Sequence, residues 1–297
     1  MDLRNYLEQG LWRMGSVADQ TWFYGHEGAA VLSISLFLLE NELDEEVRKQ
    51  AEKVLVSLYA DNPIEKVTMT ETVDRDYHEI LEAIQENIAE FSADGHGVIY
   101  GAIALQALKH NAELPQGKIA RTIKNALSDT PNRYWSIQNY KTHIPHKTTI
   151  PEFENVKAAA KYALLEQRNI KPNVRIEDTT YYFQGSKLHE ITHAHALLLL
   201  EENGQTALVK SGIENLRKQM YFNRFSPENV KPIAPPKTTY TPFEKEYWEN
   251  DVADVHYYKL AYSAYDLIKK LELTENEIIE IENNLQNHWT LLINHNN

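Results

Sequence analysis

The sequence contains no cysteine, and this absence excludes several kinds of protein at once. Without thiols the chain has no disulfide framework, no cysteine-bound zinc, no iron–sulfur cluster and no cysteine nucleophile. Glycine and proline are also scarce, with 11 of each among 297 residues, which excludes collagen-like and low-complexity chains. A chain without cysteine is compatible with a reducing compartment, and we expect it to be cytoplasmic.

Basic residues and long hydrophobic runs are also scarce. The 30 Lys and Arg residues are outnumbered by 43 Asp and Glu residues, which gives a net charge of −13. An acidic chain is poorly suited to nucleic-acid phosphates and anionic membrane surfaces, so we expect neither partner. The beginning of the chain lacks a basic segment followed by an apolar one, and apolar runs such as 29–39 are shorter than the roughly 20 residues of a membrane span.

What the chain does contain is helical periodicity, which predicts an all-α fold. Four segments share one pattern: a histidine, a nearly wholly apolar helix, a polar turn, and then an amphipathic helix. A helix that is apolar on every side must be buried, whereas one with a single apolar stripe belongs outside. We therefore predict a single domain over residues 1–297, built from about four helical-hairpin repeats that form an α/α toroid-like array.

Two long irregular segments, 129–151 and 222–250, interrupt this pattern and are rich in aromatic residues. Loops of this length in a compact domain are commonly functional, and aromatic side chains gain free energy by burial. We expect both loops to cover one end of the toroid, where Trp135, Tyr140 and Trp248 would contact a substrate. The alternative is that they only pad the outside.

The repeat histidines are the candidate catalytic residues. If the inner helices run in the same direction, the histidines at their beginnings meet at one end of the array. His193 follows His189 by four residues and shares its helical face. Neutral imidazoles in such a group can transfer protons, bind a metal or hold a polar substrate. The predicted catalytic set is His26, His96, His189, His193 and His256.

Three further residues are predicted to bind the substrate. Tyr100 lies one helical turn after His96. Lys259 lies three residues after His256, and when buried at the same end of the array its amine can bind an anion or a carbonyl oxygen. His195 either contacts the substrate or orients another histidine.

A zinc site is an alternative interpretation of the third repeat. His189 and His193 belong to an HExxH pattern, in which both histidines bind zinc and Glu190 activates water. Glu214 is then the candidate third ligand. The pattern is short, and the repeat register explains His189 without zinc. An HExxH-type zinc-dependent hydrolase therefore stands as one alternative function, and a non-catalytic helical-repeat interaction protein stands as another.

At these four histidine motifs the chain resembles the questin oxidase-like family. Residues 189–197 match its His-x-x-Thr-x-x-His-Ala-Leu motif, and residues 256–259 match its His-x-x-Lys motif. The motif at 25–30 keeps one histidine of two, and Tyr100 stands where the second motif has a further histidine.

The resemblance implies an oxidoreductase that inserts oxygen into, or opens, a ring of an aromatic ketone by using a reduced nicotinamide. We therefore predict an oxygenase-like enzyme for a small organic substrate, an aromatic or cyclic ketone. The cofactor expectations are NADPH, from the resemblance, or a divalent metal, zinc or iron.

Overall fold

The computed structural model describes residues 2–60, 78–90, 93–110, 116–128, 149–176, 179–224, 230–233 and 240–294. This part of the chain is predominantly helical, which confirms the all-α prediction. The elements in chain order are α1 (Leu3–Ser16), α2 (Gly25–Glu40), α3 (Glu45–Ala60), α4 (His78–Ala89), α5 (His96–His110), α6 (Gln116–Asn125), α7 (Val156–Leu165), β1 (Val174–Ile176), β2 (Thr179–Tyr181), α8 (Phe183–Glu202), α9 (Thr206–Phe222), α10 (Lys245–Trp248), α11 (His256–Lys270) and α12 (Glu275–Leu292).

Four helices, α2, α5, α8 and α11, form the interior of the protein. Most of their residues are buried, as expected for helices with apolar residues on several faces, although α11 has a more polar side than the others. Their contacts close into a ring, because α2 contacts α5, α5 contacts α8, α8 contacts α11, and α11 returns to α2. The ring brings the beginnings of helices that are far apart in the sequence to one place.

Each inner helix also contacts the amphipathic helix that follows it in the chain, so α3, α6, α9 and α12 lie outside the ring. The last of these begins at a capping box. The Thr274 hydroxyl accepts a hydrogen bond from the Glu277 backbone N–H, and the Glu277 carboxylate accepts one from the Thr274 N–H. Such caps fix where an outer helix begins.

The hairpin pattern missed several elements. Helices α1, α4 and α7 also pack around the ring, and α1 approaches α2 so closely that a Cβ at Gly28 would lie 2.6 Å from the Met14 backbone nitrogen. Helix α8 begins at Phe183, six residues before His189, so this histidine does not lie at the beginning of its helix. The short antiparallel pair β1–β2 precedes it.

The two aromatic loops are only partly described. Trp135 and Tyr140 lie outside the described residues. In the second loop, α10 packs against α3, and Trp248 is buried with its ring near those of Phe37 and Tyr258. The Trp248 indole N–H donates to the Pro242 carbonyl. Its described partners are core residues, and none is a histidine of the repeats.

The segment Trp22–Glu40 is long and apolar enough to cross a membrane, judged by length and composition alone. The apolar runs in the sequence did not predict a segment of this length. Within the protein, 72% of its most apolar window is buried against other helices. A buried core helix can have the same length and composition.

Candidate functional site

Four histidine side chains from the four inner helices meet at one place. His26 is the second residue of α2, His96 and His256 begin α5 and α11, and His189 lies two turns into α8. The ring centroids of His26 and His96 are 4.6 Å apart, and those of His189 and His256 are 4.7 Å apart. One nitrogen from each ring lies within 4.8 Å of the corresponding nitrogens of the other three. We call these four residues the histidine cluster.

All four members of the cluster are buried, and burial is the main reason why their pKa values lie below the usual value of a histidine. The positive charge of Lys259 lowers the pKa of each ring further. The rings are therefore uncharged at neutral pH, and each has one nitrogen lone pair available.

The hydrogen bonds of the Nδ1 atoms determine where those lone pairs point. The Nδ1–H of His26 donates to the Phe23 carbonyl at 2.5 Å, and the Nδ1–H of His96 donates to the Ala93 carbonyl. A carbonyl oxygen can only accept, so in both rings the proton is on Nδ1 and the lone pair is on Nε2. The Nδ1 of His256 lies 2.5 Å from the Asp254 carboxylate, which fixes the same tautomer.

The Asp254 carboxylate is well suited to this role. Burial alone would raise its pKa, but the electrostatic interaction and hydrogen bonds with His256, together with the charge of Lys259, outweigh burial and hold the pKa at about 2. The carboxylate is therefore ionised at neutral pH and accepts from both the ring and the backbone N–H of His256.

These tautomers create a conflict inside the cluster. The Nε2 atoms of His26 and His256 are 3.0 Å apart, and both carry lone pairs. Two facing lone pairs repel each other unless a proton or a metal cation lies between them. The Nε2 of His96 and both ring nitrogens of His189 have no hydrogen-bond partner among the described residues. Buried nitrogens without partners are costly, so the cluster is suited to bind a cation or a hydrogen-bond donor at this place.

A strained turn holds His96 in place. Ala93, Asp94 and Gly95 all have positive φ, at 46°, 51° and 79°. The Asp94 carboxylate accepts from the Ser186 hydroxyl, and its backbone carbonyl accepts from the Gln219 amide. The same carboxylate oxygen lies 4.0 Å from the Nδ1 of His189. Two successive non-glycine residues in the left-handed region cost free energy, and such strain is concentrated at functional sites.

His193 supports this turn and lies outside the cluster. Its Nδ1–H donates to the Gln219 side-chain oxygen at 2.9 Å, while the Gln219 nitrogen donates to the turn. The ring also packs against Gly95, where an added Cβ would lie 2.7 Å from Nδ1. Burial lowers the pKa of His193 to about 4, so the ring is neutral. Of the expected metal pair, only His189 belongs to the cluster.

The carboxylates of the HExxH interpretation bind elsewhere. Glu190 is fully buried, but its carboxylate accepts from Lys187 and Asn223. Glu214 is exposed and pairs with Arg217. Neither belongs to the group of side chains that could hold a metal, so the structure does not bring together the residues of the alternative HExxH zinc site.

Two of the predicted substrate-binding residues lie beside the cluster. The Tyr100 hydroxyl oxygen lies 2.8 Å from the Nδ1 of His26. This Nδ1–H already donates to the Phe23 carbonyl, so the hydroxyl oxygen is a second acceptor of the same proton. Lys259 is fully buried, and its Nζ lies 5.7 Å from the centre of the Tyr100 ring. This Nζ has no hydrogen-bond partner among the described residues. Burial lowers its pKa to about 7.

His195 serves a separate polar network. Its Nδ1 lies 3.0 Å from the Ser263 hydroxyl, and its Nε2 lies 2.8 Å from the Asp266 carboxylate. Because it follows His189 by six residues, it lies about 9 Å further along α8. It orients none of the cluster histidines.

The sequence pattern missed the aromatic turn before α2. The Trp22 ring lies 4.7 Å from that of His96 and 5.7 Å from that of His26, and the Phe23 ring lies 4.8 Å from that of His26. Phe23 is 56% exposed, so this turn separates the cluster from solvent. The run of three aromatic residues directly before Gly25 was the available signal.

Comparison with known proteins adds nothing to this geometry: no family model matches the chain, and it has no significant match among curated proteins or solved structures. The resemblance to the questin oxidase-like family therefore stays an expectation. The fold and the site define the class of protein as an all-α protein with a buried cluster of four histidines whose chemistry fits a metal ion.

Proposed function

We propose that the histidine cluster binds one divalent first-row transition metal ion and that the protein is a metal-dependent oxidoreductase. In this proposal the ring of inner helices and its outer helices are an α/α toroid of helical-hairpin repeats, with the metal at one end. The substrate is a small organic molecule, and an aromatic or cyclic ketone is the candidate.

The observation that carries the proposal is the convergence of four uncharged imidazoles with available nitrogens. Imidazole is a good ligand for iron, zinc, copper and nickel. The ligands of a tetrahedral zinc ion lie about 3.3 Å apart, since each Zn–N distance is about 2.0–2.1 Å. The cluster nitrogens lie within 4.8 Å of one another, which requires only small side-chain movements to contact one ion.

The surroundings of the ligands support the same conclusion. Metal-bound histidines commonly donate their second ring N–H to a backbone carbonyl or a carboxylate. Here the acceptors are the carbonyls of Phe23 and Ala93 and the carboxylate of Asp254. A metal would also remove the repulsion between the Nε2 atoms of His26 and His256.

The expected chemistry favours iron over zinc. Zinc has no redox chemistry, whereas bound iron exchanges electrons with dioxygen or an organic substrate. The protein's part would be to hold the ion in a dry environment with neutral ligands. NADPH, the other expected cofactor, would then act as a reductant.

Metal analysis tests this proposal. Protein expressed with added iron, zinc and manganese should contain about one metal ion per chain. His96→Ala should lose at least about tenfold in metal affinity, because it removes a ligand. His110→Ala is the matched control, since His110 ends the same helix and is more than one-third exposed.

The outcome for each variant is decisive if circular dichroism shows that it is folded. A wild-type protein that takes up no metal, even after incubation with iron or zinc, would contradict the proposal. Equal metal content in His96→Ala and wild type would do the same. Oxygen consumption and NADPH oxidation with a panel of ketones then test the oxidoreductase activity.

A further inference from the structure

Lys259 is the most informative group that the metal site leaves unexplained. It lies on α11, three residues after His256, and it is fully buried. Its Nζ has no hydrogen-bond acceptor among the described residues. A buried amine without a partner is costly, so a side chain in this position is expected to have a partner that is not part of the chain.

The charge of Lys259 acts on the whole histidine cluster. It lowers the pKa of all four rings, and the carboxylate that acts on Lys259 in turn is that of Asp254. A cation bound by the cluster would therefore be repelled by a protonated Lys259. An anion beside both positive groups would remove this repulsion.

The inner helices add to the positive potential. Helices α5 and α11 begin at cluster residues, and α2 begins one residue before His26. The beginning of a helix carries a partial positive charge and favours anions. The nearby carboxylates are Asp94 and Asp254. A divalent metal and a protonated Lys259 together carry three positive charges, which is more than these two carboxylates can offset even when both are ionised.

The four histidines would not fill the coordination shell of every ion that they could hold. A metal that takes five or six ligands would keep at least one position for a ligand from outside the chain, as non-haem iron centres with open positions do.

We infer that the site binds one small monoanion, such as a carboxylate, which coordinates the metal and accepts a hydrogen bond from the Nζ of Lys259. The inference rests on the proposed metal site and deepens it, because it assigns the class of its exogenous ligand. The substrate, or a co-substrate, would then present an anionic group to the metal next to Lys259.

An azide titration of cobalt-substituted protein tests this inference. The visible absorption of Co²⁺ changes when an anion enters its coordination shell. Wild-type protein loaded with one Co²⁺ should show a saturable change. Lys259→Met should bind Co²⁺ with the same stoichiometry but azide at least about tenfold more weakly, because a hydrogen bond from a charged group is lost.

Lys269→Met is the matched control, because Lys269 lies exposed on the same helix with its Nζ bonded to the Glu40 backbone carbonyl. This variant should bind azide like the wild type. Lys259→Gln, which is polar but uncharged, provides a second variant if Lys259→Met does not fold.

The outcomes separate the two proposals. Stoichiometric Co²⁺ binding without any azide response in the wild type would overturn the anion site and leave the metal site standing. Equal azide affinity in wild type and a folded Lys259 variant would also overturn it. Failure of the wild type to bind Co²⁺ at all would overturn both.

Discussion

The position of the proton on each imidazole decides what the cluster can bind. In His26 and His96 that position is set by backbone carbonyls, which no side-chain substitution removes. In His256 it is set by the carboxylate of Asp254. The orientation of this one ligand can therefore be tested by mutation without removing the ligand itself.

Asp254→Asn should reduce metal affinity about 10- to 100-fold while the protein stays folded. The amide oxygen can still accept the hydrogen bond, but the negative charge that makes the ring a better ligand is lost. Competition against a coloured chelator measures the affinity. The control is Asp266→Asn, which alters the equivalent carboxylate–histidine pair at His195. A larger loss of affinity in the control than in Asp254→Asn would refute this role of Asp254.

The turn that joins α4 to α5 explains how a short loop positions a ligand. Its three left-handed residues direct the Ala93 carbonyl back to His96, and Gln219 and Ser186 hold the turn from α9 and α8. Strain in this turn is thus maintained by two neighbouring helices. Glycine is required at position 95 of this turn for two reasons. Its φ is positive, and a larger side chain would overlap with His193.

Gly95→Ala should destabilise the protein by about 2–4 kcal/mol and weaken metal binding. The positive φ of 79° is unfavourable for alanine, and the new Cβ would overlap with His193. Gly204→Ala is the control, since its φ is 75° but no described residue lies within 4 Å of the added Cβ. It should cost only about 1–2 kcal/mol. Urea unfolding of both variants gives the comparison, and equal losses would show that His193 does not restrict position 95.

The interior as a whole is unusual in the number of uncharged basic groups that it buries. In the unfolded chain these groups become protonated as the pH falls through their usual pKa. In the folded protein without metal they stay neutral to a lower pH. Because the unfolded state then binds more protons, stability is lost as the pH falls. The histidines concerned are His26, His96, His189, His193, His256 and His288.

Chelator-treated protein should therefore lose several kcal/mol of stability between pH 7.5 and 5.5. Each neutral buried histidine contributes up to about 1.4 kcal/mol for every pH unit below about 6.5. His193, with a pKa of about 4, contributes throughout this range. Urea midpoints at several pH values measure the effect. A midpoint that stays constant, or rises, towards pH 5.5 would show that the buried histidines are protonated in the folded state.

Above neutral pH, the dependence of stability on pH should reflect Lys259. Its pKa is about 7 in the folded protein and about 10.4 in an unfolded chain, so stability should rise again between these values. Lys259→Met should remove this rise. If the rise in stability persists in Lys259→Met, another group causes it.

The recurring histidine before an apolar helix was sufficient to select the four residues that the structure brings together. The prediction worked because a helix that is apolar on all sides has to be inside, and inner helices in contact bring their first residues close. It did not separate His189 from His193. Helical spacing puts both on one face, but only contacts with Gly95 and Gln219, which are distant in sequence, show that His193 supports a turn.

Closure of the ring by α11 against α2 has a consequence for biosynthesis. His26 and His256 are 230 positions apart, so a ribosome working at about 5–20 residues per second needs roughly 10–50 seconds to progress from one to the other. A nascent chain therefore exposes three of the four imidazoles without the last one. If the cluster binds an ion as proposed, the complete set of four ligands would form only after translation has passed α11.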